Sequence, residues 1–153
     1  MSPKAKETKK VRSMVYRGLG FPIRMTNVPM IKIHGEWAMD ISFKKLMLAV
    51  LEDLLKKPTL LSGSEMKFIR KYLELTTTEF GKLLGVSHAA VVKWENETNH
   101  QSLSTDVFIR LLVTDRMKRS PKIFRDTFNI VRKTIMEGED QAEPIEIDAL
   151  QIA

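Results

Sequence analysis

Apolar residues recur at steps of three and four in residues 40–57, and this spacing predicts an amphipathic helix. The apolar stripe consists of Phe43, Met47, Val50, Leu51 and Leu54. Asp40 or Ser42 can cap the start by accepting a hydrogen bond from a free backbone amide, and Pro58 follows the end. This helix is expected to connect the first part of the chain to the second.

Short runs of Val, Ile and Met precede that helix, and the glycine, proline and asparagine residues between them predict strands and turns. The predicted strands are residues 13–17, 23–26 and 29–33, with Trp37 packing over them. Residues 14–60 are therefore expected to form a small β-meander followed by the connecting helix. Residues 1–13 contain five basic residues and one acid without an apolar period, which predicts a flexible basic arm.

The pattern after the connecting helix changes to helical periods with capping signals, and residues 61–136 are expected to form a helical domain. Ser62 and Glu65 have the Ser-x-x-Glu spacing of a capping box, in which each side chain satisfies a backbone amide at a helix start. A helix is therefore predicted from there to about Leu73.

Two short helices separated by a glycine are predicted next. Thr76 is a suitable N-cap for a helix over residues 77–84, Gly85 ends it because a tight turn needs positive φ, and Ser87 caps the following helix. The predicted inward residues are Phe80, Leu83 and Leu84 in the first helix, Val86 in the turn, and Val91 and Trp94 in the second helix.

The second helix of this pair leaves a distinct set of residues outward, namely Ser87, His88, Ala89, Val92 and Lys93. His88 and Lys93 can donate to guanine or phosphate, while Ala89 and Val92 are small apolar groups that suit a thymine methyl. Hydroxyls and free amides at helix N-termini bind phosphate, and this assigns phosphate contacts to Thr77, Thr78 and Ser87. The same helix-glycine-helix pattern also occurs in ordinary bundles, so spacing alone leaves a purely structural role open.

Residues 73–97 read LELTTTEFGKLLGVSHAAVVKWENE and resemble the Cro/repressor-type helix-turn-helix family. The matching positions are Leu75-Thr76, Gly81, Gly85-Val86-Ser87 and Trp94-Glu95-Asn96. The resemblance implies a mainly α, five-helix λ-repressor-like domain that inserts the helix beginning at Ser87 into the major groove of double-stranded DNA. It also implies a homodimer that engages two half-sites, and a structural ion pair between Arg70 and Glu95.

The sequence departs from that family pattern at two positions. Thr77 stands where the family usually has Gln, and its shorter side chain reaches less far toward a base. Glu97 stands where the family usually has Gly after Glu-Asn, which predicts that the helix before it continues or turns differently.

A meander containing Tyr-Arg-Gly-Leu-Gly-Phe-Pro, then a connecting helix, then this motif is similar to the two-domain antitoxins of bacterial type II toxin–antitoxin operons, above all those of the motility-regulator type. Their zinc-ribbon relatives bind zinc through two Cys-x-x-Cys pairs, whereas this chain has no cysteine, so no metal or other cofactor is expected. Apolar packing around Tyr16, Phe21, Ile31 and Trp37 is expected to replace the metal. The resemblance implies a cognate toxin protein as a partner.

Two more helices are predicted after the motif. Ser104 or Thr105 can cap a helix that runs through Met117. Its predicted core residues are Phe108, Leu111 and Leu112. Ser120-Pro121 then opens another helix, whose apolar stripe packs on its own domain or forms the dimer interface. That stripe consists of Phe124, Phe128, Val131 and Ile135.

Charge is distributed unevenly along the chain. Residues 137–153 contain six acids and neither Lys nor Arg, so they carry −6 and the rest of the chain carries +12 against an overall charge of +6. The basic part favours a polyanionic partner. The acidic tail is expected to be disordered, with docking on a basic partner such as a nuclease toxin as the alternative.

Composition and motifs exclude several classes of protein. The chain contains no apolar run long enough to span a membrane and no secretion signal, and with no cysteine it is expected in the cytoplasm. His34, His88 and His100 are scattered, and no catalytic motif accompanies them, so no enzyme is expected. The sequence therefore predicts a DNA-binding repressor that is the antitoxin of its operon; the alternative is a stand-alone repressor or a protein-interaction module.

Overall fold

The computed structural model describes residues 4–118, 122, 125–126, 128–129, 132–133 and 144–153. This part of the chain forms five α-helices and a four-stranded sheet, so the fold is mixed α+β. The chain divides into two compact units, Met1–Val50 with Pro144–Ala153, and Leu51–Glu143. No helix within the described residues is both long and apolar enough to cross a membrane.

The sheet belongs to the first unit and is built around one long central strand. Its strands are β1 (Thr8–Tyr16), β2 (Ile23–Ile33), β3 (Glu36–Met39) and β4 (Ile145–Asp148). β1 pairs antiparallel along one edge of β2. The other edge is shared, because β4 pairs parallel with the first half of β2 and β3 pairs antiparallel with its second half.

The predicted break between two strands at residues 27–28 is wrong, because β2 runs through it. Asn27 has φ 52, and its side-chain amide donates to Asp148 Oδ1 at 3.3 Å. Pro29 is tolerated inside the strand because its ring nitrogen faces the gap between β4 and β3, where its carbonyl accepts from Asp40 N–H at 2.8 Å. The proline therefore removes no ladder hydrogen bond with β1.

The predictions for both ends of the chain also need correction. The expected flexible arm over residues 1–13 is wrong from Thr8 onward, because those residues form β1. The expected disorder of the acidic tail is wrong over residues 144–153, which form β4 and a short 3-10 helix, Ala149–Ile152. Buried Ile147, Ala149 and Ile152 side chains hold this segment in place.

The apolar packing of the first unit differs from the expected set. Ile23 and Met25 are fully buried and Phe21 is buried, whereas Tyr16 and Ile31 are only half-buried. Trp37 does not pack over the strands as predicted: it is 38% exposed, with Lys9 Nζ 4.3 Å from its ring centroid. It lies near the start of β3, opposite Lys32 of β2.

All five helices lie close to predicted segments. The helices are α1 (Phe43–Leu55), α2 (Gly63–Tyr72), α3 (Thr77–Leu84), α4 (His88–Glu95) and α5 (Leu103–Arg116). In α1 the buried stripe is Leu46, Val50, Leu51, Leu54 and Leu55, so Phe43 was wrongly placed in it and is 46% exposed. The further helix expected from residue 120 lies mostly outside the described residues, including Phe124, Val131 and Ile135.

Helix α5 presents a different face to the core than predicted. It is capped by Ser102 rather than by Ser104 or Thr105. Phe108 and Leu111 are 39% and 38% exposed, and Leu112 is half-buried. The buried face consists of Asp106, Ile109, Arg110, Val113 and Thr114. Counting apolar residues misplaces this face because three of its five residues are polar.

Two of these polar residues, Asp106 and Arg110, form a buried ion pair. Arg110 Nε donates to Asp106 Oδ1 at 2.8 Å, and both side chains are at most 2% exposed. The guanidinium also donates to the carbonyls of Leu55, Lys57 and Thr59, and Asp106 Oδ2 accepts from Leu61 N–H and from the Gln101 side chain. Burial lowers the pKa of Arg110, and Asp106 opposes that shift. The pair therefore fixes the irregular segment that leads into α2.

Candidate nucleic-acid interface

The α3–α4 pair is built from the capping signals that the sequence predicts. Thr76 and Glu79 form a capping box at the start of α3, and Ser87 caps α4 by accepting from Ala90 N–H at 3.1 Å. Gly85 ends α3 with φ 72, the left-handed region that a residue with a Cβ adopts only at a cost. The turn between the two helices therefore comprises only Gly85, Val86 and Ser87.

Close approach of this turn to α3 depends on Gly81. A Cβ at that position would lie 2.8 Å from the Val86 carbonyl oxygen, which is closer than such contacts occur in proteins. Phe80, Val91 and Trp94 are buried as predicted. Leu83, which was predicted to face inward, is 47% exposed.

The structure brings most of the predicted contact residues to the surface at the start of α4. Ser87, His88, Ala89 and Lys93 are exposed. Val92 is half-buried, so its side chain is less available than expected. On α3, Thr78 is exposed and Thr77 is half-buried.

Thr77 contacts His88 across the turn. Its Oγ1 lies 2.7 Å from His88 Nδ1, a hydrogen bond between the first residue of α3 and the first residue of α4. If the Thr77 hydroxyl donates, the proton of a neutral imidazole lies on Nε2, which then points a donor away from Thr77. The contact joins Thr77, which is predicted to bind phosphate, to His88, which is predicted to donate to guanine or phosphate. The sequence pattern does not indicate this contact.

The Arg70–Glu95 ion pair, which the family resemblance implies, is present and nearly buried. Arg70 Nε and Nη2 lie 2.6 and 3.4 Å from the two carboxylate oxygens of Glu95, with side-chain exposures of 11% and 8%. Arg70 Nη1 also donates to the Leu75 carbonyl at 2.9 Å. One guanidinium therefore joins α2, the residues before α3 and the end of α4.

The end of α4 also packs against the start of α2, and this contact was missed. A Cβ on Gly63 would lie 2.4 Å from the Trp94 carbonyl oxygen and 2.6 Å from that of Glu95. Glu97 has φ 58, in the left-handed region that favours glycine, and its carboxylate accepts from Gly63 N–H at 3.0 Å. α4 thus ends at Glu95 and does not continue.

The described residues hold no group of three or more His, Asp or Glu side chains suited to a metal ion. No protein-family model, curated protein or solved structure matches this chain. The candidate interface therefore rests on its own geometry: an exposed helix start, a short turn, and an ion pair behind it.

Proposed function

We propose that this protein is a sequence-specific DNA-binding transcriptional regulator, in which α3 and α4 form a helix-turn-helix and α4 is the recognition helix. The proposal is supported above all by the start of α4, where Ser87, His88 and Ala89 are exposed together while the other end of the helix is held by Arg70. A recognition helix reads base edges with its N-terminal residues, and it must be held rigidly to do so.

Each exposed group has a distinct role in this proposal. His88 and Lys93 donate to guanine or to phosphate, and Ala89 leaves room for a thymine methyl. Thr78 and Ser87, at the starts of their helices, position the protein on phosphates. Thr77 orients the His88 ring through the 2.7 Å hydrogen bond, which compensates for its short reach compared with Gln.

The charge distribution is consistent with this role. Outside the acidic residues 137–153 the chain carries +12, which attracts a polyanion at long range. The protein is expected to act as a homodimer on two half-sites, and the symmetry of the selected DNA would report this.

The test begins with selection of bound duplexes from a randomised library, followed by anisotropy titrations of the selected duplex at several salt concentrations. Affinity is expected to fall steeply with salt because phosphate binding releases counterions. The His88→Ala/Lys93→Ala variant is expected to bind about 10- to 100-fold more weakly. Lys44→Ala, which removes one exposed charge from α1, is the control; equal weakening by this variant would contradict binding through α4.

A narrower proposal is that the regulator is an antitoxin that represses its own operon. Two observations support it: the chain forms a sheet-containing unit and a helical unit, and its sequence resembles the two-domain antitoxins. Co-expression with the product of a neighbouring gene should relieve growth arrest caused by that product. Absence of relief for every neighbouring gene would leave the protein as a stand-alone repressor.

A further inference from the structure

Within the described residues, the backbone groups along the outer edge of β1 have no hydrogen-bond partners. β1 is nine residues long and pairs with β2 at every position except Arg12, with the same register on both sides of that residue. Among the strands that the structure describes, none pairs with the other edge of β1. A long open edge of this kind is a template for a further strand from another chain.

The ladder shows which backbone groups face outward. Lys32 N–H donates to the Glu7 carbonyl at 3.0 Å, which makes Glu7 and Lys32 a hydrogen-bonded pair. In an antiparallel ladder such pairs alternate, so the odd-numbered residues of β1 direct their N–H and C=O groups to β2. The outward-facing groups therefore belong to Thr8, Lys10, Arg12, Met14 and Tyr16.

Two cations accompany these outward groups. Lys10 and Arg12 are exposed, lie two residues apart on one face, and form no ion pair within the described part of the chain. The charged residues next to them do have partners: Glu7 pairs with Lys32, and the Lys9 ammonium lies over the Trp37 ring. The edge thus combines free amide donors with two free positive charges.

The other end of the same edge is apolar. Met14 and Tyr16 lie on the same face as the two cations and are half-buried, with the Tyr16 ring 6.2 Å from that of Phe43. A strand placed antiparallel on this edge would therefore meet two apolar side chains first and two cations afterwards, at alternate positions. This order defines the chemistry of a matching segment.

We propose that the edge of β1 binds an extended acidic segment of another protein by strand addition. The segment carries apolar residues opposite Tyr16 and Met14, then acidic residues opposite Arg12 and Lys10. Main-chain hydrogen bonds supply affinity, and the alternate side chains supply specificity. This interaction does not depend on the proposed binding of DNA.

A second copy of this chain fits the edge less well than an acidic segment. Antiparallel self-pairing over the whole strand would centre on Arg12 and place two guanidinium groups opposite each other. β1 contains no acidic residue that could compensate. Like charges directly opposite one another destabilise a strand pair.

The test uses the full chain and a labelled, end-blocked peptide, Val-Thr-Val-Thr-Glu-Thr-Glu, titrated by fluorescence anisotropy. A peptide with Gln in place of both Glu residues is expected to bind about tenfold more weakly. The Lys10→Glu/Arg12→Glu variant should lose the acidic peptide and bind one with Lys at those two positions. Lys4→Glu/Lys6→Glu, with the same charge change ahead of β1, should retain the acidic peptide.

Hydrogen exchange then locates the binding. The outward amides of Lys10, Arg12 and Met14 are expected to become protected when the acidic peptide binds. Equal weakening by Lys4→Glu/Lys6→Glu, or protection confined to α4, would overturn the proposal. Protection of the same amides that rises with protein concentration alone would overturn it in favour of self-association.

Discussion

Glu97 and Gly63 meet where the end of α4 packs on the start of α2, and the backbone constrains which residue each position can hold. Glu97 has φ 58, a conformation that costs a residue with a Cβ about 1 kcal/mol or more. Its carboxylate recovers part of that cost by accepting from Gly63 N–H. Gly63 itself has no room for a Cβ, because two backbone oxygens of α4 lie within 2.6 Å of the position.

Substitution of Glu97 separates these two effects. Glu97→Ala loses the hydrogen bond that caps α2 at Gly63 N–H and keeps the unfavourable φ, so its free energy of unfolding should fall by about 1 kcal/mol. Glu97→Gly also loses the cap but relieves the backbone, so it should lie close to the parent protein. Urea denaturation of the three proteins measures the difference. A glycine variant no more stable than the alanine variant would show that the backbone conformation is not costly here.

Arg70 and Glu95 are a second residue-scale contact, and their low exposure makes the loss of one partner severe. Arg70→Met leaves the Glu95 carboxylate nearly buried without its partner, so the free energy of unfolding should fall by about 3 kcal/mol. The double variant Arg70→Met/Glu95→Met should lose less than the sum of the two single variants. The exposed Glu7–Lys32 pair is the control, with an expected coupling below about 1 kcal/mol. Strictly additive losses at Arg70 and Glu95 would contradict a stabilising pair.

At the scale of elements, α3 depends on a capping box whose acid titrates. The Thr76 N–H donates to Glu79 and the Thr76 side chain interacts with it, and these bonds lower the pKa of Glu79 below its ordinary value of 4.5. A carboxyl group whose pKa is lower in the folded protein stabilises the fold above its unfolded pKa. The contribution is lost as the pH falls through the lower, folded value.

This sign gives a measurable pH dependence. Between pH 7 and 5 the difference in free energy of unfolding between the parent protein and Glu79→Gln should stay constant. Below pH 4.5 the difference should shift against the parent protein, because its Glu79 must then release a proton on folding, which costs free energy, whereas the glutamine of the variant does not titrate. Denaturation curves across this range provide the measurement. A difference that does not vary with pH would indicate that Glu79 does not titrate differently on folding.

Local signals explain which elements could be predicted from the sequence. The caps at Ser62, Thr76 and Ser87 and the glycine at position 85 act within four residues, so α2, α3 and α4 were predicted within a residue or two. The α5 face was not, because a buried Arg110–Asp106 pair looks like solvent-exposed charge in a sequence. The contact between Thr77 and His88 depends on how α3 and α4 cross, which spacing does not specify.

At the scale of the whole molecule, the first compact unit is assembled from both ends of the described chain. β4 covers part of one edge of β2, and the Ile152 carbonyl accepts from Ser42 N–H at 2.8 Å. The second unit, Leu51–Glu143, is continuous in sequence. Long-range pairing of this kind is missed by local patterns, which is why an acidic C-terminal segment was expected to be disordered.

Removal of residues 144–153 tests this division. The truncated protein should lose protection from hydrogen exchange in β2, because Ile23 and Met25 lose β4 as a neighbour. Protection in α2 to α5 should persist, since that unit has its own core. Ile147→Asp should act in the same direction without shortening the chain. Equal loss of protection in α4 would contradict two separate units.

The position of β4 has a consequence for how the protein is made. A ribosome completes β1, β2 and β3 first, yet the edge of β2 that β4 occupies stays open until everything through α5 has been translated. At the usual rate of synthesis this interval is on the order of ten seconds. During this interval the nascent sheet lacks β4, and Ile23 and Met25 are incompletely covered. The helical unit that follows is already free to fold.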